Sequence, residues 1–447
     1  MHSRVFFIFL LFFVFGVALH SIFLFSWGWT IVLAALAGLI FITIAFSGHQ
    51  FFWLALPALF GLIFGLWRTE IAWRATNAVF GESPILLQVK SEPKVKELST
   101  QFLAETGHGR LWVIVPSVAI IHYGDQIRGE CSPKPVILTE PYSGYYLSKQ
   151  AGTICFLKSV RVIKPGDSFL ENLWSLKNRL VNSIQNIFRV SEANLLSGML
   201  FGTSTLSSEM SNNFRRAGLT HLVAISGYNF SLLAFFMVAF LELWYLPRRA
   251  IMIVALILLF GFFILVGPGA STLRALIMAT LTLVAKVFGR RRNIFHLYIL
   301  ALAAMLMINP LSLRFDAGFN LSFAATAVLI FAVPAVSMRL YAWLNLEKIQ
   351  GRLLFFKYKD LIETVSEIIL ASIMIMIAAS PILWYFFGTY NFTSVLANVA
   401  VAPIVPFVMM GGYLFSITAL FISSFAAAIA WVVTPFLRYI AAVARFF

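Results

Sequence analysis

The stretch AIMIVALILLFGFFILVGPGASTLR, residues 250–274, decides the fold class of this chain. Residues 250–266 carry no charge and are almost all apolar, which approaches the roughly 20 residues that a helix needs to cross a bilayer. The whole chain shares this character, because 60% of its 447 residues are hydrophobic, only 11% are charged and the mean hydropathy is +0.89. A soluble chain could not bury so much apolar surface. The sequence therefore predicts a polytopic α-helical membrane protein.

Similar apolar stretches recur along the chain and predict about eleven transmembrane helices. They cover residues 5–25, 29–47, 50–67, 222–244, 250–266, 272–288, 294–308, 318–337, 364–387, 392–420 and 422–443. The first stretch has a basic start but no small-x-small cleavage pattern, and two more stretches follow it at once. We therefore expect it to be a retained helix and not a cleaved signal peptide.

The formal net charge of +15 has two explanations. Lys and Arg accumulate in the cytoplasmic loops of membrane proteins, and a basic chain also attracts nucleic acid. With the N-terminus and Arg4 in the cytoplasm, the predicted spans place the basic loops at 248–249, 290–292 and 338–360 on the cytoplasmic side. Topology thus accounts for part of the charge, and both explanations stay open for these loops.

Between the third and fourth spans the composition changes to short alternating runs separated by turn residues. The strand-like runs cover 85–89, 109–115, 118–122, 126–130, 151–157 and 160–163. This pattern is typical of a small all-β module of barrel or sandwich type, and a five-stranded OB-like barrel fits residues 80–166. The three preceding spans place this module outside the cytoplasm.

The only two cysteines of the chain, Cys131 and Cys155, both lie in this module. An extracytoplasmic location permits oxidation, so we predict a disulfide between them. Two reduced, buried cysteines are the alternative.

An amphipathic helix is predicted for residues 167–190. Its apolar stripe is Phe169, Leu173, Leu176, Leu180, Ile184 and Ile187, with Lys177, Arg179 and Arg189 off the stripe. Such a helix favours the outer membrane interface. It could act as a collar that orients the β module or contact nucleic acid directly.

Two polar clusters interrupt the spans, and polar side chains in a span commonly face a cavity or a pathway. In the first, His221, Ser226 and Asn229 would share one face of a continuous helix. In the second, Gly267-Pro268-Gly269 is expected to interrupt the helix shortly before Arg274. The guanidinium of Arg274 needs an anionic partner, a water-filled cavity or a nearby membrane surface that its side chain can reach.

A third cluster begins at Asn309-Pro310. It continues to Asp316 and Asn320, which are four residues apart and are expected on one helical face. An ion pair between Asp316 and Arg274 is the alternative interpretation, in which both residues serve packing.

These clusters resemble the hallmark motifs of the ComEC family of competence proteins. The similar stretches are RAGLTHLVAISG at 216–227, STLRALIM at 271–278, Gly289-Arg290, Asn309-Pro310 and FDAGFNLSF at 315–323, in the family's order and spacing. The stretch YGDQIRG at 123–129 also resembles the family's extracytoplasmic OB-like domain. The resemblance implies a channel that receives one DNA strand after the other strand has been degraded outside.

The resemblance also implies pathway and stacking residues. The candidate pathway or gate residues are His221, Ser226, Gly227, Asn229, Arg274, Asp316 and Asn320. A nucleic-acid strand carries one charge per nucleotide, so its route needs a wet, polar and preferably cationic lining. The aromatic residues of the β module that could stack bases, or instead fill its core, are Trp112, Tyr142, Tyr145 and Tyr146.

Longer members of the family end in a metallo-β-lactamase-like nuclease domain, whereas this sequence stops at Phe447. It also has no His-x-His pair and no Gly-x-x-x-x-Gly-Lys-Ser/Thr phosphate loop. We therefore expect no enzymatic activity, metal or cofactor. The expected partners are single-stranded DNA and membrane lipid, with a DNA receptor, a separate nuclease and a cytoplasmic motor ATPase supplied in trans.

Two other functions could use the same clusters. A small-solute or lipid transporter would place broken helices at the bilayer midplane, and an intramembrane hydrolase would bring His221, Ser226 and Asp316 together. The expected domains are transmembrane helices at 1–70, the OB-like domain at 80–166, the interfacial helix at 167–190 and the channel domain at 191–447.

Overall fold

A computed structural model provides the structure of the chain. It describes residues 2–447 except 24–27, 29, 34, 36–37, 39–48, 77–83, 92, 97–98, 108, 117–120, 139–142, 167, 204–205, 224–226, 268–269, 288–293, 344–352 and 389–393. The chain forms two compact units. The first comprises Met1–Ser175 with Phe295–Phe319, and the second comprises Leu176–Ile294 with Asn320–Phe447.

Helices dominate both units. They are α1 His2–Phe23, α2 His49–Thr76, α3 Ser143–Ser148, α4 Ser168–Ile187, α5 Val190–Phe201, α6 Ser208–Arg216, α7 Thr220–Val223, α8 Gly227–Glu242, α9 Arg248–Val266, α10 Ala270–Val287, α11 Ile294–Ile308, α12 Ser312–Phe315, α13 Ala317–Ala327, α14 Val333–Trp343, α15 Leu353–Phe387, α16 Ser394–Val401, α17 Val405–Thr418 and α18 Ser423–Phe446. The strands are β1 Ile85–Val89, β2 Lys94–Lys96, β3 Ser99–Thr106, β4 Gly109–Pro116, β5 Gln126–Pro135 and β6 Thr153–Lys164.

Several of these helices are suited to crossing a membrane. Within the described part of the chain, six are long and apolar enough: Arg4–Phe23, Ala55–Thr76, Arg248–Val266, Ala317–Arg339, Ile369–Phe386 and Ser423–Phe446. Four shorter apolar helices cover Leu232–Glu242, Thr272–Leu281, Ile294–Ile308 and Val405–Thr418. The predicted span at 29–47 falls largely outside the described residues, so the total of eleven stays a prediction.

The predicted span at 392–420 differs from the structure, which divides it into α16 and α17. The two helices are separated at Ala402-Pro403-Ile404. Pro403 has no backbone N–H to continue the hydrogen-bond ladder of α16, and its ring disfavours a helical conformation at the preceding residue. The apolar run therefore contains two short helices instead of one long one.

Helices α1 and α2 of the first unit pack closely because glycines line their contact. A Cβ added at Gly61 or Gly65 would overlap the carbonyl oxygen of Phe9 or Phe13 respectively, and one at Gly16 would overlap that of Leu62. The two helices therefore run parallel, with their backbones almost touching. The Gly61-x-x-x-Gly65 spacing is the kind that lets membrane helices approach each other without a hydrophobic driving force.

The strands of the first unit form a hydrogen-bonded circuit. β1 pairs antiparallel with β3 and with β5, β3 pairs with β4, β4 pairs in parallel with β6, and β6 pairs with β5. Strand β2 adds to β3 at the side. Five strands thus close on themselves, and inward residues such as Leu87, Phe102, Val113 and Ile127 are fully buried in one core.

The predicted disulfide between Cys131 and Cys155 is confirmed. The two residues belong to strands β5 and β6, with their Cα atoms 5.5 Å apart. Both side chains are part of the barrel core. The bond therefore joins two neighbouring strands from inside the barrel.

Helix α4 begins where the barrel ends. The buried carboxylate of Asp125 accepts hydrogen bonds from the backbone N–H of Gly166 at 2.8 Å and of His122 at 2.7 Å. The ring of Trp174 meets that of Tyr123 edge-on at 4.9 Å. Asp125 therefore fixes the exit of the barrel into the helix.

The buried face of α4 differs from the predicted stripe. Lys177, expected off the stripe, is only 1% exposed, whereas Leu176 and Ile187 are 38% and 42% exposed. Lys177 and Ile184 are seven residues apart and so lie on one side of a helix, and Ile184 is fully buried. The interfacial location of this helix stays a prediction.

The described helices of the second unit pack together in several places. One of them is formed by α8, α9 and α10 around Phe230, Leu259 and Ala275. In another, Gly412 of α17 lies so close to Leu196 of α5 that an added Cβ would be 2.8 Å from its side chain.

Candidate functional site

The Gly218 turn positions the first predicted cluster. Gly218 has φ +65°, and an added Cβ would overlap the side chain of Ser394, so both conformation and space require glycine there. The turn leads directly into α7, where His221 Nδ1 donates a hydrogen bond to the carbonyl oxygen of Gly218 at 3.1 Å. His221 is thereby fixed against the turn that precedes it.

The rest of this cluster is only partly described. Ser226 lies outside the described residues, as do its two preceding neighbours. Gly227 begins α8 and Asn229 belongs to its first turn, but the side chain of Asn229 is not among those described. The shared face of His221, Ser226 and Asn229 therefore stays a prediction.

Arg274 contacts a neighbouring membrane helix. From α10, its Nη1 donates to the carbonyl oxygen of Ser322 at 3.2 Å and to Oγ1 of Thr326, both on α13. The guanidinium carbon also lies 5.9 Å from the centre of the Phe323 ring, within the range of a cation–π contact. The side chain is half-buried. The structure thus places a guanidinium against neutral oxygen acceptors and an aromatic ring in the second unit.

A change of helix type follows directly after the Arg274 contact. Residues Val328–Ala332 form a π-helical turn between α13 and α14. Such turns are uncommon and occur frequently at functional sites. Thr326, which contacts Arg274, also donates to the carbonyl oxygen of Ser322 at 2.8 Å. The arginine is therefore bound to the last turns of the regular α-helix, directly before the π-helical turn.

Asp316 is a helix cap, which corrects the expectation that it shares a helical face with Asn320. Its backbone is extended, with φ −104° and ψ 100°, and lies between α12 and α13. Its Oδ1 accepts from the N–H of Phe319 at 3.1 Å, the pattern of an N-cap. Gly318 lies beside this carboxylate, since an added Cβ would be 3.2 Å from Oδ1. The four-residue spacing does not place Asp316 and Asn320 on one face because the helix starts after Asp316.

The predicted Asp316–Arg274 ion pair also stays a prediction, since these residues belong to different units. Within the first unit, Asp316 lies near Tyr145. Burial raises the pKa of the Tyr145 phenol, and the charges of Tyr146 and Asp316 raise it further.

The aromatic residues predicted to stack bases form a packed cluster. Trp112 is only 5% exposed, and its ring lies 5.3 Å from that of Tyr145 and 5.7 Å from that of Tyr146. Trp112 packs with Ile154 in a cluster outside the barrel core. Tyr145 is 43% exposed. Base stacking thus stays a prediction for Trp112, Tyr145 and Tyr146, of which Trp112 is largely covered by its neighbours. Tyr142 lies outside the described residues.

Asn309 anchors the β module to a membrane helix of the first unit. At the end of α11, its Nδ2 donates to the carbonyl oxygen of Ser148 at 2.7 Å, and its Oδ1 accepts from Nε2 of Gln150 at 3.2 Å. Gln150 in turn accepts from Arg110 of β4 at 3.2 Å. It also has an unusual φ of 59°. The Asn309-Pro310 motif therefore has a mechanical role that its sequence alone did not indicate.

We expect Asn309→Ala to lower the free energy of unfolding by about 1–2 kcal/mol, because the Ser148 carbonyl and the Gln150 amide each lose a partner. Hydrogen exchange followed by mass spectrometry should show faster exchange at residues 143–151. Asn309→Asp is the matched variant, since it keeps the Oδ1 acceptor for Gln150 but places a second oxygen against the Ser148 carbonyl, and its loss should be at least as large as that of Asn309→Ala. Unchanged exchange in Asn309→Ala would show that this contact does not secure the module.

A buried charged group between α1 and α2 was missed by the sequence analysis. Glu70 Oε2 lies 2.9 Å from His20 Nε2, and Glu70 Oε1 accepts from Arg74 Nε at 2.7 Å. The side chains of His20 and Glu70 are 0% and 4% exposed. An ionisable side chain in a helix continuing past an apolar run was the available signal. The predicted span ended at residue 67, three residues before Glu70.

Two further arginines cap helix ends in the first unit. Arg68 donates to the carbonyl oxygens of Met307 and Ile308, the last residues of α11, at 3.0 and 2.9 Å. Arg314 donates to the carbonyl oxygens of Ser21 and Ile22 near the end of α1. The two guanidinium groups donate hydrogen bonds to the last carbonyl groups of these helices, which have no partner within the helix. A positive charge is also favourable at the C-terminal end of a helix dipole. The two arginines serve helix packing in the described structure.

Comparisons with known proteins match residues 199–447 to a family. The family model described as "Competence protein" matches residues 199–447, more than half of the chain. "ComE operon protein 3" of Bacillus subtilis is 22% identical over 284 residues, or 61% of this chain and 34% of that protein. "Uncharacterized protein MG316" of Mycoplasma genitalium is 32% identical over 204 residues, or 45% of this chain and 46% of that protein.

The matches thus cover about a third and about half of the length of these two relatives. No solved structure matches the chain. The family match contains the Gly218 turn, His221, Arg274 and Asn320, which are the polar positions on which the sequence resemblance rested. The chain therefore belongs to the competence protein family, as a ComEC-type member.

Proposed function

We propose that this chain is an inner-membrane channel that passes single-stranded DNA into the cytoplasm during natural transformation. The observation that carries this proposal is the family match over residues 199–447, which includes Arg274 within an apolar helix. A charged side chain is costly inside a membrane and commonly marks a pathway for an ion or a charged substrate. A DNA strand is such a substrate, because every nucleotide carries a phosphate charge.

The contacts of Arg274 support a cationic lining at this point. Its guanidinium donates hydrogen bonds to a backbone carbonyl and to a hydroxyl, which hold the positive charge in place within an apolar helix. His221, Ser226, Gly227, Asn229, Asp316 and Asn320 are proposed as further pathway or gate positions. Asp316 would act by fixing the start of α13, since that is where its carboxylate is bound.

The β module is proposed to be an OB-like receiving domain outside the cytoplasm. The closed circuit of five strands with a parallel β4–β6 pair supports this assignment. The disulfide fits an oxidising compartment. With the N-terminus in the cytoplasm, the helix α2 would deliver the chain to that outer side before β1 begins.

Each part of the chain has its own proposed role. Residues 1–70 and 191–447 would form the membrane part, 80–166 the receiving domain and 167–190 the helix that connects them. The strand would be delivered by a DNA receptor and a separate nuclease, and a cytoplasmic motor ATPase would pull it. The chain itself would act as a channel without catalysing a reaction.

The proposal is tested by uptake of labelled duplex DNA in cells that lack this chain. We expect labelled strand to reach no nuclease-protected compartment in these cells, and re-expression of the wild-type chain should restore uptake. DNA bound at the cell surface serves as the internal control, because capture should precede the channel step. Full uptake in the absence of the chain would refute the proposal.

A further inference from the structure

The outer surface of the barrel brings two arginines face to face. Arg128 on β5 lies directly opposite Arg161 on β6, and Leu86 on β1 lies on the other side of Arg128. All three side chains are exposed. Like charges directly opposite on neighbouring strands destabilise a sheet. Among the residues that the structure describes, neither arginine has an ion pair or a side-chain hydrogen bond that would compensate for this repulsion.

A bulge brings a third cation onto the same surface. The pairing of β5 with β6 shifts register between Gly129 and Cys131, so that Lys158 and Ser159 together oppose Glu130. An extra residue in one strand resets the alternation of its side chains. Lys158 and Arg161 consequently both point outward although they are three residues apart. Glu130 is the acidic residue of this surface, and the three cations outnumber it.

An exposed aromatic ring completes the surface. Phe156 points outward two residues before Lys158, and it pairs with Ser132 of β5. Its side chain is 45% exposed, in contrast to the 5% of Trp112 on the neighbouring strand. The ring is thus available for a stacking partner, whereas Trp112 is already covered.

We propose that this surface, formed by Arg128, Lys158, Arg161 and Phe156 and here named the arginine face, docks single-stranded nucleic acid. The arginines bind backbone phosphates, which relieves their mutual repulsion, and Phe156 stacks a base. A cationic surface with an exposed aromatic ring is the combination by which proteins hold single strands without sequence preference. This inference rests on the proposed function and assigns its receiving surface to β5 and β6, away from the Trp112 cluster.

Lipid phosphate is the competing partner for a cationic surface, and it can approach the β module from two ends. Gly152, just before β6, packs so closely on Thr76 at the end of α2 that an added Cβ would overlap its carbonyl oxygen. Arg161 lies nine residues further on, roughly 30 Å along the strand at about 3.3 Å per residue, so lipid at that helix end is screened from it. The helix predicted for the membrane interface begins six residues after Arg161, so the experiment below must distinguish nucleic acid from lipid beside that helix.

The test is the binding of a fluorescent oligo-dT strand to the full chain in phosphatidylcholine nanodiscs at several salt concentrations. For single strands, the logarithm of affinity falls with the logarithm of salt by about 0.7 per phosphate contact. We therefore expect Arg128→Gln/Arg161→Gln to make this slope shallower by about 1.4. Phe156→Ala should weaken binding by roughly 5- to 150-fold with little change in slope.

Arg110→Gln/Lys149→Gln is the matched control, since it removes the same charge near the Gly152 end of the β module, away from the arginine face. If this control lowers the slope as much as the arginine variant does, the effect is one of net charge and the proposal fails. Arginine-specific chemical labelling, read by mass spectrometry, identifies the partner. The oligonucleotide should protect Arg128 and Arg161; protection by phosphatidylglycerol in the disc, without DNA, would assign the face to lipid instead.

The two proposals fail in different ways. If the wild-type chain binds the strand and supports uptake while the arginine variant keeps the wild-type slope and labelling pattern, only the arginine face is refuted. If cells lacking the chain take up DNA normally, the channel function is refuted.

Discussion

Cells that carry Arg274→Gln are expected to take up no more DNA than cells without the chain, although the variant reaches the membrane in normal amounts. Glutamine keeps an amide donor toward the Ser322 carbonyl and the Thr326 hydroxyl, which hold the wild-type side chain, although on a shorter side chain. It removes the positive charge and the cation–π contact with Phe323. Transport of a polyanion needs that charge, whereas packing of α10 against α13 needs the hydrogen bonds.

Two controls separate charge from packing. Arg274→Lys keeps the charge and should retain part of the uptake, although a lysine is a point charge without the planar fork of arginine. Thr326→Val removes one acceptor of the guanidinium and should reduce uptake less than Arg274→Gln does. Uptake is measured as labelled DNA protected from external nuclease, with abundance measured by immunoblot. Normal uptake by well-expressed Arg274→Gln would remove this residue from the pathway.

Glu70→Ala is expected to lower the free energy of unfolding by about 1–3 kcal/mol. Removing one member of a buried hydrogen-bonded pair leaves the other member without its partner. Here the other member is His20, whose side chain is 0% exposed and lies 2.9 Å from the Glu70 carboxylate. Arg74 contributes less, because its side chain is 58% exposed and can reach water.

The cause of this loss can be checked with a second variant. His20→Leu/Glu70→Leu replaces both buried partners with apolar groups. Its free energy of unfolding should be much closer to the wild-type value than that of Glu70→Ala, since such replacements are often neutral. Unfolding is followed by titrating the purified chain from mild detergent into dodecyl sulfate. If the free energy of unfolding of Glu70→Ala lies within about 1 kcal/mol of the wild-type value, water reaches this pair and the account of the loss is wrong.

Hydropathy and alternation predicted the membrane class and the β module, because both are local properties of the sequence. Apolar runs identify helices that lie in lipid, and period-two alternation identifies strands with one buried side. The Cys131–Cys155 disulfide was predictable since both cysteines lie in one small module expected outside the cytoplasm.

The features that were missed depend on chain reversals or on distant segments. Asp316 was expected on a helical face, but the backbone turns at that residue and its carboxylate caps α13. Trp112 could either stack bases or fill the core of the β module, and only the fold shows that residues from α3 and β6 cover it. Spacing within one segment carries no information about such contacts, which arise only when the fold is complete.

The arginine face illustrates the same limit. Arg128 and Arg161 are 33 positions apart in the sequence, and only the register of β5 against β6 brings them together. That register includes a bulge, which no alternation pattern reveals in advance. Net charge alone therefore suggested an anionic partner but could not indicate where it would bind.

Solvent access at Thr326 tests the central claim that the polar contacts between α10 and α13 border a hydrated route. Thr326 lies nine residues into the Ala317–Arg339 span, roughly 14 Å along the helix and so about halfway through the hydrocarbon core. Both native cysteines form a disulfide, so Thr326→Cys supplies a single thiol. In cells taking up DNA, a charged, membrane-impermeant thiol reagent should label it, and incoming strand should slow the labelling. A thiol as unreactive as one at Ile257→Cys, an exposed apolar position of α9, would contradict the account.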